Sequence, residues 1–441
     1  MGSAIDAIQV GLIGFGTVGT GVVRILQENS RLLEERLGAS IVLKKIADVD
    51  ITRDRGVKVN PGLLTQDPGE IINDPSIPIV IELIGGLEPA RTLVLQAIEK
   101  GKHIITANKA LLAVHGAEIF RAAEERGVDI GFEGSVGGGI PIIRAMKEGL
   151  VANRIQVIFG ILNGTSNYIL TEMTHRGERF EDVLKKAQDL GIAEANPALD
   201  IEGTDTAHKL SILISLAYGV QVKLEEIYTE GISQITPLDI EYAKELGYHI
   251  KLLAIAKSDG QAIEARVHPT LLPADHLLSS VNGAFNGIFV RGDAVGSTLF
   301  YGAGAGMMPT GSAVVSDLID LCRNLRRGIQ QRVPLLSYQP KYLRDGAIKN
   351  IRDINSTYYL RFTVVDRPGV FSRISGILGD LDISIASVIQ KGRRAEKAVP
   401  IYMVTHEARE ANMQRALQVI DRLPIVVDKT MLMRIEDPAN L

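Results

Sequence analysis

The chain has 441 residues and a formal net charge of -4, with 46% hydrophobic and 23% charged residues. This length predicts two or three domains, and this composition excludes a disordered chain. The weak negative charge gives no reason to expect a nucleic-acid partner, and no apolar run reaches the roughly 18 residues that a membrane span needs. The single cysteine, Cys322, excludes an internal disulfide, so we expect a soluble cytoplasmic protein.

The N-terminal part alternates strand and helix patterns. Residues 8–14 are predicted to form a buried strand, and a glycine-rich turn and a helix to about Asn29 follow it. Two later helical patterns end at a glycine, which is the usual C-terminal stop of a helix. Strands that alternate with helices predict βαβ units and a parallel sheet. The further predicted strands are 41–48, 77–85, 102–108 and 128–136.

The rest of the chain follows a different pattern. After about residue 150, polar loops interrupt the helices and short strands. Residues 331–357 have weak periodicity, which is typical of a connector. Residues 358–436 follow the order β-α-β-β-α-β, which predicts a small ferredoxin-like module.

The strongest local motif is the run Gly14-Phe15-Gly16-Thr17-Val18-Gly19. It follows the first strand directly and opens a helix, which is the context that gives such a run meaning. Gly14 permits a tight turn, Gly16 lets the backbone approach a pyrophosphate, and Gly19 allows close helix–strand packing. We therefore expect a nicotinamide dinucleotide at this helix N-terminus, in preference to a glycine-rich turn without a ligand.

The second strand contains the residue that should contact the ribose. A carboxylate such as Asp48 favours NAD, because it binds the ribose 2′-hydroxyl. Arg53 and Arg55 follow it and suit a 2′-phosphate, and Asp48 lies farther from the glycines than the usual spacing of about 20 residues. We expect NAD or NADP, with NAD favoured.

Two polar residues close the strand 102–108. Asn108 and Lys109 lie at its carboxyl end, where ligands bind in parallel sheets. The lysine is either an ordinary surface charge or a group that faces the nicotinamide and substrate, and we favour the second interpretation.

The thiol of Cys322 lies among apolar residues at helical spacing, so we expect it to be buried and unreactive. Direct hydride transfer is then the better interpretation than chemistry through a thiohemiacetal.

The densest polar segment runs from Glu194 to Lys209. Helical spacing places Asp205 and Lys209 on one face near a helix N-terminus. The alternative is an exposed ion pair that stabilises the helix by only roughly a few tenths of a kcal/mol. The many nearby acids and the loop 163–167 favour a functional site. We expect only a minor role for His208, which lies on another face of this helix.

A carboxylate also precedes a glycine run at Glu133. Backbone carbonyl oxygens beside a carboxylate suit a hard cation, although spacing alone favours a plain turn.

Taken together, these motifs resemble the homoserine dehydrogenase family. The resemblance covers about residues 8–330, and residues 358–436 resemble an ACT domain, an amino-acid-sensing module. It rests on the motifs GLIGFGTVGTGVV, ELIGG, TANKALLA, FEGSVGGGIPI, ILNGTSNYIL, AQDLGIAEANPALDIEGTDTAHKL, GISQIT and FYGAGAGMMPTGSAVVSDL.

The resemblance implies an activity and site residues. The activity is the reversible NAD(P)H-dependent reduction of L-aspartate 4-semialdehyde to L-homoserine, a step toward threonine, methionine and isoleucine. Lys209 would be the proton donor and Lys109 a second active-site lysine. The substrate would be bound by Glu194 and Asp205, with Asp200, Gly164 and Thr165 nearby, and Gly191 and Gly306 would line the cofactor. A monovalent cation, sodium, would be bound by Glu133, Val136, Gly138 and Ile140.

The resemblance also implies an α/β domain organisation. It comprises a Rossmann-type NAD(P)-binding domain at 1–150 completed by about 303–330, a catalytic and dimerisation domain at 151–302, a connector at 331–357 and an ACT regulatory domain at 358–436. We expect a homodimer or homotetramer, with threonine as the leading candidate effector. The open alternatives are another Rossmann dehydrogenase acting on an amino-acid-derived carbonyl, such as an aspartate dehydrogenase, and a catalytically silent amino-acid sensor.

Overall fold

The chain forms two compact units, each built from separate stretches of sequence. The computed structural model describes residues 6–390 and 398–436. The first unit contains the residues up to Gly164, Asp205–Ile227 and Phe285–Gly346. The second unit contains Thr165–Thr204, Tyr228–Ala284 and the residues from Ala347 onward. The predicted domain boundaries divide the chain more finely than this and stay predictions.

The strands and helices have the following bounds. The strands are β1 (Ala7–Ile13), β2 (Ser40–Ala47), β3 (Leu64–Thr65), β4 (Ile79–Glu82), β5 (His103–Thr106), β6 (Ile130–Gly131), β7 (Ile155–Ile161), β8 (Val220–Gln221), β9 (Tyr228–Thr229), β10 (Tyr248–Ser258), β11 (Ile263–Pro273), β12 (Phe285–Gly292), β13 (Gly296–Ala303), β14 (Arg344–Asp345), β15 (Asn355–Val364), β16 (Ile385–Ile389), β17 (Val399–Thr405), β18 (Ala408–Arg409) and β19 (Val426–Ile435). The α-helices are α1 (Thr17–Glu28), α2 (Ser30–Leu37), α3 (Gly69–Ile72), α4 (Ala90–Glu99), α5 (Lys109–Arg126), α6 (Ile142–Arg144), α7 (Gly164–Arg176), α8 (Phe180–Asp189), α9 (Ala198–Ile201), α10 (Thr204–Tyr218), α11 (Pro237–Glu245), α12 (Met307–Arg326), α13 (Val370–Gly379) and α14 (Glu410–Ile420).

A parallel sheet forms the first part of the first unit. Its strand order is β3-β2-β1-β4-β5-β6, and all of its pairings are parallel. This is the order of a dinucleotide-binding fold, in which ligands bind outside the carboxyl ends of the strands where the order reverses. Here that point lies between β1 and β4. The prediction of a parallel, Rossmann-type sheet is confirmed.

The core of this sheet includes a helix from far along the sequence. Val314 and Leu318 of α12 are fully buried with Val10 and Leu12 of β1 and Val22 of α1. Cys322 of α12 belongs to the same cluster, and burial raises the pKa of its thiol to about 12. The thiol is therefore buried and protonated at neutral pH, as the sequence predicts.

The first unit also contains an antiparallel sheet, in which β12 lies between β13 and β7. No helix within residues 6–390 or 398–436 is long and apolar enough to cross a membrane.

The second unit is organised around one continuous sheet. β10 and β11 pair in antiparallel fashion, and β19 joins β11 in parallel. From β19 the order continues through β15 and β17 to β16 with antiparallel pairings. In module numbering this is the order 4-1-3-2, so the predicted ferredoxin-like module is confirmed, and its last strand also extends the sheet of β10 and β11.

The start of this module differs from the expectation. Strand β15 begins at Asn355, so the last three residues of the predicted connector belong to the strand. The reason is that Asn355 and Ser356 pair with the two-residue strand β18. A two-residue strand has no periodicity to detect, so the sequence did not reveal this pairing.

Candidate active site

The turn between β1 and α1 shows where space exists for a ligand. Gly14 has a φ of +100°, and a Cβ atom there would lie 2.5 Å from the carbonyl carbon of Leu83. A Cβ atom at Gly19 would lie 2.2 Å from the carbonyl oxygen of Gly14. At Gly16 a Cβ atom would meet nothing within 4 Å. The turn is therefore tight at Gly14 and closely packed at Gly19, while it is open at Gly16.

The N-terminus of α1 lies at this opening. The helix begins at Thr17, Gly16 occupies the N-cap position, and no side chain caps the helix by a hydrogen bond. Its first turn contains no acidic residue. Unsatisfied amide groups at a helix N-terminus, together with the helix dipole, favour an anion such as a pyrophosphate.

A cavity of about 470 Å³ adjoins the turn and contains the predicted ribose contact. Asp48 accepts a hydrogen bond from the Phe15 backbone N–H at 2.6 Å, and its other oxygen lies 3.1 Å from Arg55 Nη2. The guanidinium carbon of Arg55 lies 4.7 Å from the centre of the Phe15 ring. Asp48 is thus placed at the cavity, but both of its carboxylate oxygens already hold protein donors. The cavity is lined by Phe15, Gly16, Thr17, Thr20, Asp48, Val49, Asp50, Arg53, Asp54, Arg55 and Met307.

Asn108 fixes the start of α5 and therefore the position of Lys109. The Asn108 side chain accepts a hydrogen bond from the Leu111 backbone N–H at 3.1 Å, which caps the helix. Its amide nitrogen donates to the carbonyl oxygen of Gly86 at 2.7 Å. Asn108 therefore has a structural role beside its predicted place near the cofactor. Lys109 is the first residue of the helix, and its side chain is 40% exposed.

Two lysines meet the carboxylate of Asp205. Lys209 Nζ lies 2.7 Å from Asp205 Oδ2, and Lys109 Nζ lies 3.1 Å from Oδ1. Asn163 Nδ2 also donates to Oδ2 at 2.9 Å. Lys209 Nζ further donates to the carbonyl oxygen of Leu162 at 2.6 Å. Residues from three distant stretches of sequence thus form one cluster of two ammonium groups around a carboxylate.

Burial and charge together set the state of this cluster. The side chains of Asp205 and Lys209 are 9% and 10% exposed. Burial alone would raise the pKa of Asp205, but the positive charges of Lys209 and Lys109 outweigh it and lower that pKa below its ordinary value. Asp205 is therefore ionised at neutral pH and holds the ammonium groups, so it cannot itself supply a proton. Burial lowers the pKa of the neighbouring His208.

Three other predicted substrate residues, Thr165, Glu194 and Asp200, belong to the second unit. Thr165 Oγ1 donates to the carbonyl oxygen of Ile192 at 3.0 Å, and Ser166 Oγ donates to that of Asp200 at 2.7 Å. Glu194 is exposed, and Gly191 has a φ of +70°. The start of α7 and the loop 190–203 are therefore held together by hydrogen bonds from hydroxyl groups. Gly164 and Asp205 belong to the first unit.

The predicted cation residues surround the start of α6. Both carboxylate oxygens of Glu133 accept backbone hydrogen bonds, from Ile143 at 2.8 Å and Arg144 at 2.9 Å. Burial raises the pKa of Glu133. Within the described residues, the carbonyl oxygens of Val136 and Gly138 accept no hydrogen bond. Two backbone oxygens are therefore available to a cation, while the carboxylate already caps a helix.

Two further features lie near this loop. The Ile140 carbonyl oxygen accepts a hydrogen bond from the Ile142 backbone N–H at 2.8 Å. Asn286 is fully buried, and in the described part of the chain neither polar atom of its side chain has a hydrogen-bond partner. A Cβ atom at Gly304 would lie 2.1 Å from Asn286 Cγ, and one at Gly138 would lie 2.6 Å from the Gly304 carbonyl carbon. Gly306 is the N-cap residue of α12, with a φ of +123°.

Family models match most of the chain. A model described as homoserine dehydrogenase matches residues 141–319, and one described as its NAD binding domain matches residues 14–133. A model of the ACT domain matches residues 358–425.

Named relatives and solved structures agree with these models. The homoserine dehydrogenase of Pseudomonas aeruginosa is 46% identical over 432 residues, which cover 97% of this chain and 99% of that protein. That of Bacillus subtilis is 43% identical over 433 residues, which cover 98% of each. A crystal structure of a homoserine dehydrogenase from Thiobacillus denitrificans has a TM-score of 0.93 and 49% identity, and the match covers 98% of this chain and 99% of that chain.

A more distant structure includes a coenzyme. It is a hyperthermophilic archaeal homoserine dehydrogenase mutant in complex with NADPH, with a TM-score of 0.60 and 26% identity over 71% of this chain and 97% of that chain. Because the family models match more than half of the chain and close relatives match nearly all of it, the chain belongs to the homoserine dehydrogenase family, with a nicotinamide-dinucleotide-binding domain, a catalytic domain and a C-terminal ACT domain.

Proposed function

We propose that the chain interconverts L-homoserine and L-aspartate 4-semialdehyde with a nicotinamide coenzyme, and that Lys209 transfers the proton. The observation that carries the proton assignment is the cluster in which Lys209 and Lys109 share the carboxylate of Asp205. When bound, the nicotinamide ring supplies or accepts the hydride. In the reducing direction, the hydride reaches the aldehyde carbon and negative charge grows on its oxygen.

Lys209 has the properties that this proton transfer needs. Its ammonium group donates a proton to the developing alkoxide, and in the oxidising direction the neutral amine takes the hydroxyl proton back. Positioned general acids typically contribute about 10²- to 10⁴-fold to the rate. Asp205 and the Leu162 carbonyl oxygen hold Nζ in place. The Lys209 side chain is 10% exposed, against 40% for Lys109, so Lys209 is the more enclosed of the two ammonium groups.

Lys109 has a different proposed task. Its ammonium group lies 3.1 Å from the opposite oxygen of Asp205, at the N-terminus of α5. A second cation there stabilises the developing negative charge on the substrate oxygen. It also lies at the carboxyl end of β5, beside the expected coenzyme position.

The amino-acid part of the substrate needs complementary charges. Homoserine carries an ammonium and a carboxylate on the same carbon atom. We propose that Glu194 and Asp205 bind it, with Asp200, Gly164 and Thr165 nearby. A carboxylate such as that of Glu194 is the natural acceptor for the substrate ammonium group.

The coenzyme fits the turn between β1 and α1. The open space at Gly16 and the uncapped helix at Thr17 suit the pyrophosphate. The charge of Asp48 at the adjoining cavity opposes a 2′-phosphate and favours NAD, with Arg55 held by the same carboxylate. The archaeal relative bound to NADPH supports a nicotinamide dinucleotide in general. We further propose that Gly191 and Gly306 line the coenzyme.

The monovalent cation fits the oxygen atoms of the loop 133–140. The unbonded carbonyl oxygens of Val136 and Gly138 are hard donors that suit sodium, with Ile140 and Glu133 beside them. The orphaned amide of Asn286 next to Gly304 is a further polar group without a partner in the described residues. No cluster of three His, Cys, Asp or Glu side chains suited to a metal occurs in the described residues, so these carbonyl oxygens would supply most of the ligands.

We also propose a homo-oligomer whose ACT domain senses threonine. β13 is an edge strand, and the rings of Phe285 and Tyr301 stack there at 5.3 Å while 44% and 56% exposed. An exposed edge with apolar side chains favours pairing with a second copy. A dimer would place two ACT domains in one assembly, and a tetramer would place four.

A steady-state assay tests the proposed activity. L-homoserine with NAD or NADP in a sodium buffer is expected to produce NADH or NADPH, and aspartate semialdehyde is expected to consume it. L-aspartate is expected to give no turnover. Turnover of L-aspartate would favour an aspartate dehydrogenase, and inactivity with both homoserine and the semialdehyde would favour a silent sensor.

A further inference from the structure

Two strands of the second unit meet the same edge of β11. β9 pairs with residues 266–267, and β19 pairs with residues 270–271. Arg434 of β19 therefore lies beside the chain that leaves β9, and its Nη1 is 3.2 Å from Glu230 Oε2. The C-terminal module thus makes a charged contact with a segment that precedes it by about half the chain, here called the bridging segment (residues 230–239).

Arg434 is fixed within its own module. Its side chain is 1% exposed, and its Nε and Nη2 donate to the two oxygens of Glu410 at 2.9 and 2.6 Å. The hydroxyl of Tyr358 donates to the same carboxylate at 2.9 Å. A planar guanidinium held by two parallel hydrogen bonds has little freedom to move. Its contact with Glu230 therefore restrains the position of one end of the bridging segment.

The other end of the bridging segment is held by the same module. Asp239 lies in the first turn of α11 and is fully buried. It accepts hydrogen bonds from Arg361 Nε at 2.7 Å and Nη2 at 3.1 Å, and from the hydroxyl of Tyr359 at 3.1 Å. Asp239 also completes a capping box with Thr236. Two strands of the ferredoxin-like module, β15 and β19, thus each provide an arginine that anchors the segment.

The middle of the bridging segment packs against the end of α9. The Ile232 backbone N–H donates to the Ile201 carbonyl oxygen at 2.9 Å. A Cβ atom at Gly231 would lie 2.6 Å from the Ile201 carbonyl oxygen and 2.8 Å from Glu202 Cα. Because backbone atoms of the two segments are in direct contact here, neither segment can move without the other. A shift of residues 231–232 therefore shifts the end of the helix that contains Asp200.

We propose that Arg434 and Arg361 are positioning residues for the loop 190–203, here called the homoserine-binding loop, and that they act through the bridging segment. The proposal rests on the proposed function, because it takes Glu194 and Asp200 as groups near the substrate. The C-terminal module sets the position of this loop through both anchors, and a change at either anchor alters the affinity for homoserine. The β1–α1 turn shares no residue with this path, and Gly191 lies at the opposite end of the loop from Ile201, so we expect the affinity for the coenzyme to change much less than the affinity for homoserine.

Steady-state kinetics of variants in which a neutral side chain replaces a charged one test the proposal in the full-length protein. Glu230→Gln and Arg361→Gln are each expected to raise KM for homoserine about fivefold to tenfold, which is the lower end of typical coupling between sites. KM for the coenzyme is expected to stay within about twofold of the parent. Arg361→Lys keeps the charge next to Asp239 and is expected to restore most of the homoserine affinity. The matched control is Arg409→Gln, which breaks an exposed ion pair between the module and Asp353 of the connector and should change neither KM.

The outcomes separate this inference from the proposed function. Glu230 is 36% exposed, so Glu230→Gln is expected to fold even if Arg361→Gln does not. An unchanged KM for homoserine in Glu230→Gln, with or without a lower Tm, would overturn the inference and leave a merely structural ion pair. The variant Glu194→Gln distinguishes failure of this inference from failure of the proposed substrate site. If it raises KM for homoserine while the anchor variants do not, only the inference fails. If it also has no effect, the assignment of Glu194 to the substrate fails.

Discussion

At the scale of single residues, buried charges decide both chemistry and stability. Asp205 remains ionised in a buried position because two ammonium groups reach it. Removing a partner from a buried ion pair typically costs about 3–5 kcal/mol, since it leaves an uncompensated charge. Conservative variants that keep the side-chain length are therefore the informative ones at this cluster.

Lys251 gives a prediction for the dependence of stability on pH. It is 3% exposed in β10, and its Nζ donates to the carbonyl oxygen of Val281 and to Asn282 Oδ1 at 3.1 Å. Burial lowers its pKa to about 8. The unfolded chain, in which the lysine pKa is about 10.4, then binds more protons between these two values, so stability rises with pH across that window.

The comparison of the parent with Lys251→Met isolates this contribution. Thermal melts from pH 7 to pH 10 should show the parent gaining stability relative to the variant above about pH 8, by at most about 1.4 kcal/mol per pH unit. A difference in Tm that stays constant across this range would contradict the lowered pKa.

At the scale of elements, the strand–turn–helix from β1 to α1 makes the clearest prediction. Gly16→Val should fold, because a Cβ atom at Gly16 meets nothing within 4 Å. The added side chain occupies the space left for the pyrophosphate, so coenzyme affinity should fall strongly. The control is Gly376→Val in α13, where a Cβ atom also meets nothing within 4 Å. Unchanged coenzyme affinity of Gly16→Val in a fluorescence titration would remove this turn from the site.

The loop that leads into α6 gives a second prediction for an element. A cation bound only by the folded chain stabilises it. Exchange of sodium for tetramethylammonium at constant ionic strength should therefore lower Tm or the reaction rate, and sodium should restore it. Equal melting and equal rates in the two buffers would argue against a cation at Val136 and Gly138.

Elements with strong periodicity could be predicted from the sequence. The parallel strands of the first sheet and the β-α-β-β-α-β module are examples, because their apolar runs and glycine stops are local signals. The two-residue strands β9 and β18 could not be predicted, since their pairing depends on partners distant in sequence. Within the site, the spacing of Asp205 and Lys209 predicted their ion pair. The family resemblance placed Lys109 in the same site, but no sequence signal gave its contact with Asp205, the contact of Asn163 with Asp205, or that of the Leu162 carbonyl oxygen with Lys209, because these contacts form only through tertiary folding.

At the scale of the whole molecule, the C-terminal module is joined to the rest of the second unit by strand pairing and by a buried ion pair. β19 pairs with β11, and Glu436 lies 2.6 Å from the fully buried Arg266. Deleting the module would expose the edge of β11 and remove Glu436 from that guanidinium, which would keep its ion pair with Glu264 at 3.1 Å. Single substitutions are therefore the better test of regulation.

Threonine binding can be tested at the first strand–helix turn of this module. The turn Asp366–Gly369 leads into α13 and its residues are exposed, so it is our candidate for a ligand loop of the ACT domain. L-threonine is expected to raise Tm and lower the rate of the parent, since a ligand that binds the folded state stabilises it. Asp366→Ala should remove both effects and keep the basal rate, while Asp380→Ala near the other end of α13 should keep both effects. A parent that shows no shift of Tm with threonine would exclude it as the effector.

The most direct test of the account compares two lysine variants by kcat. Lys209→Met keeps most of the side-chain length and removes the acid, and Lys109→Met does the same at the second ammonium group. We predict that Lys209→Met lowers kcat by about 10²- to 10⁴-fold with the coenzyme Kd nearly unchanged, and that Lys109→Met lowers it less. Near-normal kcat in Lys209→Met, together with loss of activity in Lys109→Met, would contradict the assignment of the proton to Lys209.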